Sequence, residues 1–135
     1  NQTLSGTAVT ITFDKTVFNQ QNAYSTSTSR FTPQVAGYYY LTATLGPSMA
    51  NATTATSYLA KNGDTTTQGN YIIGRNFALS GTTSNYIFSV SGLMYLNGST
   101  DYVSVWCDTG TVLAADNNTT GSDRTFFMGY LVKAV

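Results

Sequence analysis

Hydrophobic and polar residues alternate one for one along most of the chain, and the pattern is strongest between residues 37 and 45. Because successive side chains of a strand point to opposite faces, a period of two predicts β-strands rather than helices. The predicted strands are residues 9–13, 37–45, 57–61, 70–79, 85–96, 101–107 and 124–132, with shorter segments between them. Eight or nine such strands indicate an all-β sandwich or barrel.

Turn signals separate the predicted strands. Asn62-Gly63 and Asn97-Gly98 are pairs of the kind that is favoured in tight hairpin turns. Residues 46–56 and 108–123 are long and polar, so we expect both to be loops. At 135 residues the chain has the length of one domain, and we expect residues 1–135 to form a single unit without helices, repeats or linkers.

Three of the predicted strands are apolar on both faces. In the first, Tyr38 and Tyr40 point away from Tyr39 and Leu41, and residues 85–96 and 124–132 show the same excess. A sheet that is apolar on both faces needs cover on both, and no predicted helix is available to supply it. We therefore expect Tyr39 and Leu41 in the core and a second copy of the chain over the opposite face; the alternative is that exposed tyrosines merely decorate that face. The expected interface residues are Tyr38, Tyr40, Phe88, Met128 and Tyr130.

Composition excludes several functions. Six Lys and Arg residues balance six Asp residues, His and Glu are absent, and only 9% of residues are charged, against about 25% in an average domain. Without His there is no Ser-His-Asp triad, no Cys-His pair and no His-ligated zinc. The dispersed cations give no nucleic-acid footprint, and no apolar run approaches the length of a membrane-spanning helix. We therefore expect no enzyme activity, no cofactor, no nucleic-acid partner and no membrane insertion.

Two further chemical features have ordinary explanations. Asp108, Asp116 and Asp123 lie with two Asn residues in one segment and could offer oxygens to calcium, although the spacing is not that of an EF-hand. Turn formation is the usual role of such residues, so no metal site is expected and calcium binding within residues 108–123 stays open. The lone Cys107 lies in an alternating apolar run and is expected to be a buried, unreactive side chain.

A spaced set of four aromatic residues, with one Asn and one Gly between them, lies in the first third of the chain. Its pattern is Phe13-x5-Asn19-x4-Tyr24-x6-Phe31-x5-Gly37-x-Tyr39. This spacing is similar to the signature of the complement C1q-like globular domain. Residues 59–63, 93–105 and 126–131 resemble later strands of that family, so the resemblance covers nearly the whole chain in order. The chain departs from the signature at Leu41 and Ala43, where the family favours aromatic residues.

The resemblance implies a jelly-roll β-sandwich of about ten antiparallel strands, of the tumour-necrosis-factor type, that packs into a homotrimer. The family includes secreted animal ligands, bacterial spore-surface proteins and phage virion proteins. Low charge, abundant Thr, Ser and Asn, and the lack of a disulfide favour a phage virion module, either a fibre or spike tip for host attachment or a capsid decoration (cement) protein. The alternative is a bacterial surface or secreted ligand-binding domain.

The same interpretation defines the expected partners and location. We expect two further copies of the chain, together with other virion proteins or a host surface receptor, in the virion or in the extracellular space. The chain begins at Asn1 rather than Met, so we expect a fragment or a processed product of a longer protein.

Overall fold

The computed structural model describes residues 2–4, 8–45, 47–49, 55–76, 84–85, 88–109, 113–115 and 125–135. Within these ranges the chain forms thirteen strands and one short 3-10 turn, which confirms the predicted all-β class. The strands are β1 (Thr3–Leu4), β2 (Val9–Thr10), β3 (Tyr24–Ser25), β4 (Arg30–Phe31), β5 (Gly37–Leu45), β6 (Pro47–Met49), β7 (Ala55–Lys61), β8 (Tyr71–Asn76), β9 (Ser84–Asn85), β10 (Phe88–Leu96), β11 (Val103–Thr109), β12 (Leu113–Ala115) and β13 (Phe126–Ala134). The 3-10 turn covers Gln20–Asn22.

The strands pair antiparallel in three sheets. We call β10-β5-β13 the front sheet, and β3-β4-β11-β7-β8, with β2 also paired to β11, the back sheet. A third, smaller sheet has the order β1-β12-β6-β9. Buried side chains of the front sheet, such as Leu41 and Val90, pack with Leu59 and Val105 of the back sheet. The core therefore lies between the two larger sheets, as in the β-sandwich that the sequence predicts.

Strand β5 lies at the centre of the front sheet and shows the alternation most clearly. Tyr39 is 5% exposed and Leu41 is fully buried, whereas Tyr38 is 47% exposed on the opposite face. Burying a large apolar side chain stabilises the fold by about 1.5–3 kcal/mol. The prediction that Tyr39 and Leu41 fill the core is confirmed.

The aromatic residues of the signature meet in one cluster. The ring of Phe31 lies 5.7 Å from that of Tyr39 and 5.9 Å from that of Phe127, both edge to face. Phe13 and Tyr24, which are half-buried, each lie 6.1 Å from the ring of Phe127. Residues that are far apart in sequence thus fill one region of the core, and Phe127 of β13 completes it.

The Asn of the signature closes a turn. Asn19 Nδ2 donates a hydrogen bond to the carbonyl oxygen of Tyr24 (2.7 Å), and Asn19 Oδ1 accepts one from the Tyr24 N–H (2.9 Å). The side-chain amide therefore pairs with one residue as a neighbouring strand would. It encloses the turn in which Gln21 and Asn22 take positive φ values of 58° and 52°.

Gly37 marks a close approach between strands. A Cβ atom at this position would overlap the carbonyl oxygen of Lys133 in β13 and lie 2.7 Å from the side chain of Leu131. Glycine is found in strands where another backbone approaches this closely. The absence of a side chain at Gly37 therefore permits the close approach of β13 to β5.

Several predicted boundaries were wrong. The strand expected over residues 9–13 is limited to β2, although the Ile11 N–H still donates to the Val105 carbonyl oxygen (2.8 Å). The two expected loops contain short strands: β6 lies within residues 46–56 and β12 within residues 108–123. These strands pair with each other and have only three residues each, too few to show an alternating pattern.

Candidate functional site

The outward surface of the front sheet carries large apolar side chains from all three strands. We call this surface the front face, and its large residues are Tyr38, Tyr40, Leu93, Tyr95, Phe126, Met128 and Tyr130. Leu93 is 59% exposed, Tyr130 is 56% exposed, and Tyr40 is half-buried between them. The strand register aligns Leu93, Tyr40 and Tyr130 in one row across the sheet.

Contacts between rings hold the aromatic side chains of the front face in place. The Tyr38 and Tyr95 rings lie 5.6 Å apart, as do the Tyr40 and Tyr130 rings. Lys61 Nζ lies 5.6 Å from the centre of the Tyr95 ring and donates to the Tyr95 carbonyl oxygen (3.2 Å). Because these side chains are already positioned, less conformational entropy is lost when a partner covers them.

The front face has an aromatic end and a hydroxyl end. Thr42 lies opposite Ser91, and Thr44 lies opposite Ser89, in the register of β5 and β10. Thr44 Oγ1 and Ser89 Oγ share a hydrogen bond of 2.8 Å, so these polar groups are already paired. Lys133, which pairs with Tyr38, brings a charge to the margin of the face. Between the hydroxyl end and this margin lies the row of Leu93, Tyr40 and Tyr130, whose side chains are uncharged and mostly aromatic.

Four of the five residues predicted at the interface lie together on this face. Tyr38 and Tyr40 come from β5, and Met128 and Tyr130 come from β13. The structure thus brings them to one surface, where Met128 is 45% exposed. Their role in contacting another copy stays a prediction.

Phe88 occupies a different register position. It pairs with Leu45, which is 3% exposed, and stands in the same alternation as Val90 and Met94, which are both buried. The Phe88 side chain itself lies outside the described residues, so its interface role also stays a prediction. The described apolar residues that β10 contributes to the front face are Leu93 and Tyr95, which alternation places on the side of the strand opposite Phe88.

In the sequence, Gly92 indicates which side of β10 is buried. Gly92 pairs with Leu41, and a Cβ atom there would lie 2.7 Å from the side chain of Ile72 in the back sheet. Glycine inside an otherwise apolar strand often marks such a close approach. Residues separated from Gly92 by an odd number of positions, Leu93 and Tyr95 among them, therefore face outward.

A polar cluster lies at one end of the sandwich. Lys61 Nζ lies 2.8 Å from Asp101 Oδ2, while Asn62 Nδ2 donates to Asp101 Oδ1 and the Asn97 N–H donates to Oδ2, both at 3.0 Å. Burial raises the pKa of Asp101, but hydrogen bonds from Lys61, Asn62 and Asn97 and the Lys61 charge outweigh it and hold the pKa below its ordinary value. Both carboxylate oxygens are engaged within the protein, so the cluster fastens β7 to the start of β11.

Of the candidate metal-binding and thiol groups in the sequence, the structure describes Asp108 and Cys107. No group of three or more His, Cys, Asp or Glu side chains that could hold a metal occurs among them. Asp108 is half-buried at the end of β11, while Asp116 and Asp123 lie outside the described ranges. Cys107 is 1% exposed, as predicted; burial and the Asp108 charge raise the pKa of its thiol to about 12.

In the part of the chain that the structure describes, no helix has the length and apolar character needed to span a membrane.

Comparison with known proteins identifies one family. A family model described as C1q domain matches residues 1–132. No curated protein matches the sequence. The match extends over the spaced aromatic signature and the three strands that form the front face, so the resemblance drawn from residue spacing is confirmed.

Proposed function

Because the chain belongs to the C1q domain family, we propose that it is a ligand-binding or receptor-binding module that works as a homotrimer. The family is generally non-enzymatic, and its domains typically form trimers, bind ligands or receptors and are extracellular. In the proposed trimer, each copy turns its front face toward the other two. The observation that carries the proposal is the apolar front face, which is exposed in a single copy.

The chemistry of the front face matches a permanent interface. Permanent interfaces are rich in aromatic residues and depleted of charge in their central region. The row formed by Leu93, Tyr40 and Tyr130 has this character, and the ring contacts of the face fix its shape. An obligate contact of this kind is expected to bury well above about 1,000 Å² for each pair of copies.

The proposed setting is a phage virion, with the module as a fibre or spike tip or as a capsid decoration protein. Its support is compositional: the chain has 9% charged residues and one Cys, so no internal disulfide is available. Quantitative mass spectrometry of purified particles would distinguish these roles, because a tip is present in few copies and a decoration protein in many. Absence from the particles would instead favour a bacterial surface or secreted binding domain.

The trimer is tested by measuring mass in solution. Light scattering at micromolar concentration should give three times the 14.5 kDa of one chain. Tyr40→Asp places an unpaired charge in a desolvated contact, so this variant should fold but dissociate. Ile73→Asp is the matched control, because Ile73 is 41% exposed on the back sheet, away from the front face. A wild-type mass near that of one chain would contradict the proposal.

A further inference from the structure

The front sheet has two different flanks, and a threefold ring must bring them together. Strand β10 forms one flank and β13 the other, with β5 between them. In a ring of three copies the contact is heterologous, which means that the surface used on one copy differs from the surface used on the next. When the front faces turn inward and the strands follow the ring axis, the β13 flank of each copy meets the β10 flank of its neighbour.

The β13 flank carries an exposed apolar segment. Val17 is 98% exposed and Phe18 is 75% exposed, so their own protomer covers almost none of Val17 and only a minor part of Phe18. Both residues line a groove of about 710 Å³ that β13 also lines, through Phe127 and Leu131 among others. Single exposed apolar residues are common on protein surfaces, but two adjacent ones on the flank of an apolar face are suited to contact with another molecule.

The β10 flank presents a matching surface. Leu93 is 59% exposed and Tyr95 is 41% exposed, and both belong to the front face. The Tyr95 ring is held between Tyr38, 5.6 Å away, and Lys61 Nζ, also at 5.6 Å. An aliphatic side chain beside a fixed aromatic ring is a good contact for a second aromatic residue.

We propose that Val17 and Phe18 of each copy pack against Leu93 and Tyr95 of the next copy. Each of the three contacts is then built from both flanks, and the apolar surface that a single copy leaves exposed at either edge of its front sheet is covered. This inference rests on the trimer of the proposed function and deepens it by naming the residues that close the ring.

Disulfide cross-linking tests the contact directly. In a chain that carries both Phe18→Cys and Leu93→Cys, mild oxidation should give a covalent trimer on a non-reducing denaturing gel. The two positions lie on opposite flanks, separated by at least two strand spacings or about 10 Å, which exceeds the reach of a disulfide within one copy. Each single-Cys variant should give no covalent trimer, and the buried Cys107 can stay in place.

A second pair of cysteine substitutions controls for disulfides that form through chance collisions. Phe18→Cys combined with Met128→Cys places both thiols on the β13 side, and ring closure does not bring these positions of neighbouring copies together. We expect no covalent trimer from this pair. Cross-linking in the control pair but not in the Phe18 and Leu93 pair would overturn the proposed arrangement.

A second measurement does not depend on cysteine chemistry. The double variant Val17→Ser with Phe18→Ser should fold normally, because neither side chain packs in the core, and should raise the concentration of half-dissociation at least tenfold. Ile73→Ser, on the back sheet, should leave that concentration unchanged. A double variant that associates as tightly as the wild type would overturn this inference while leaving the trimer standing; a monomeric wild type would contradict the proposed function itself.

Discussion

Adjacent tyrosines in β5 have opposite surroundings although their chemistry is the same. Tyr39 is 5% exposed and its hydroxyl donates to the Val35 carbonyl oxygen (2.8 Å), whereas Tyr38 is 47% exposed on the front face. The difference follows from strand alternation alone. Substitutions at neighbouring positions should therefore separate folding from association.

Truncating Tyr39 should damage folding. We expect Tyr39→Ala to lower the free energy of unfolding by about 3–5 kcal/mol, the usual cost of deleting a large aromatic side chain from a core. Tyr39→Phe removes only the hydrogen bond to Val35 and should cost about 1 kcal/mol. Urea denaturation at a fixed protein concentration measures both values. A Tyr39→Ala protein that folds normally but dissociates would show that the two faces of β5 are assigned backwards.

We expect the free energy of unfolding to fall in acid, where the carboxylates of the folded chain become protonated. Because the pKa of Asp101 in the folded chain lies below its ordinary value of 3.8, its contribution is complete above that value and is lost as the pH falls through the folded pKa. With neither His nor Glu in the chain, stability should be flat between about pH 5.5 and 8. Urea denaturation across the pH range checks both statements, and a steep change between pH 5.5 and 8 would contradict them.

The variant Asp101→Asn tests whether the Asp101 carboxylate causes the loss of stability in acid. This variant should lose about 3 kcal/mol at pH 7, because the half-buried Lys61 loses its buried partner, and should show a shallower decline in acid. Part of the decline should remain, since hydrogen bonds from Thr67, Thr66 and Asn70 also lower the pKa of Asp64. Asp14→Asn, which removes an exposed carboxylate, is the control and should change the free energy of unfolding at pH 7 by less than about 0.5 kcal/mol.

At the scale of elements, alternation predicted where strands lie but not which face of an apolar strand is buried. In β5, which is apolar on both faces, the buried face was predicted correctly because Tyr39 belongs to the signature. Strand β10 is apolar on both sides, so alternation identifies a strand without saying which side is buried; that depends on pairing with β5 and on crowding of Gly92 by Ile72. The exposed Val17 and Phe18 were not singled out, because they lie outside any periodic segment.

The turn that precedes β3 depends on one side chain. Asn19→Ala removes two hydrogen bonds to the Tyr24 backbone and should lower the free energy of unfolding by about 2 kcal/mol. Asn19→Asp keeps the acceptor for the Tyr24 N–H and should lose less. Gln20→Ala, at an exposed neighbouring position, should change stability by less than about 0.5 kcal/mol. Chemical denaturation gives all three values, and an Asn19→Ala protein as stable as the wild type would refute this role of the amide.

At the scale of the whole molecule, the two outer surfaces of the sandwich differ in character. The back sheet carries Tyr58 and Tyr71, whose rings lie 6.0 Å apart, and Trp106, whose Nε1 donates to the Ser104 hydroxyl (2.7 Å). These three side chains are half-buried and contact their neighbours, whereas Leu93 and Tyr130 of the front face are more than half exposed. Under the proposed arrangement the back sheet stays in contact with solvent and is the broad surface open to ligands.

Thermal unfolding should depend on protein concentration. If folding and association are coupled, mass action raises the midpoint as the concentration rises. Calorimetry over a hundredfold concentration range should show this shift for the wild type, and Tyr40→Asp should show none. A wild-type midpoint that is independent of concentration would argue that each copy is stable alone and that the front face contributes little to stability.

The buried thiol of Cys107 offers a kinetic probe that needs no added label. Its pKa of about 12 and its 1% exposure leave it unreactive in the folded chain, so a thiol reagent at pH 8 can modify it only after the sandwich opens. The modification rate then reports how often the core is exposed to solvent. If the three copies must separate before any one opens, that rate will fall as the protein is concentrated; if each copy opens within the ring, the rate will stay constant.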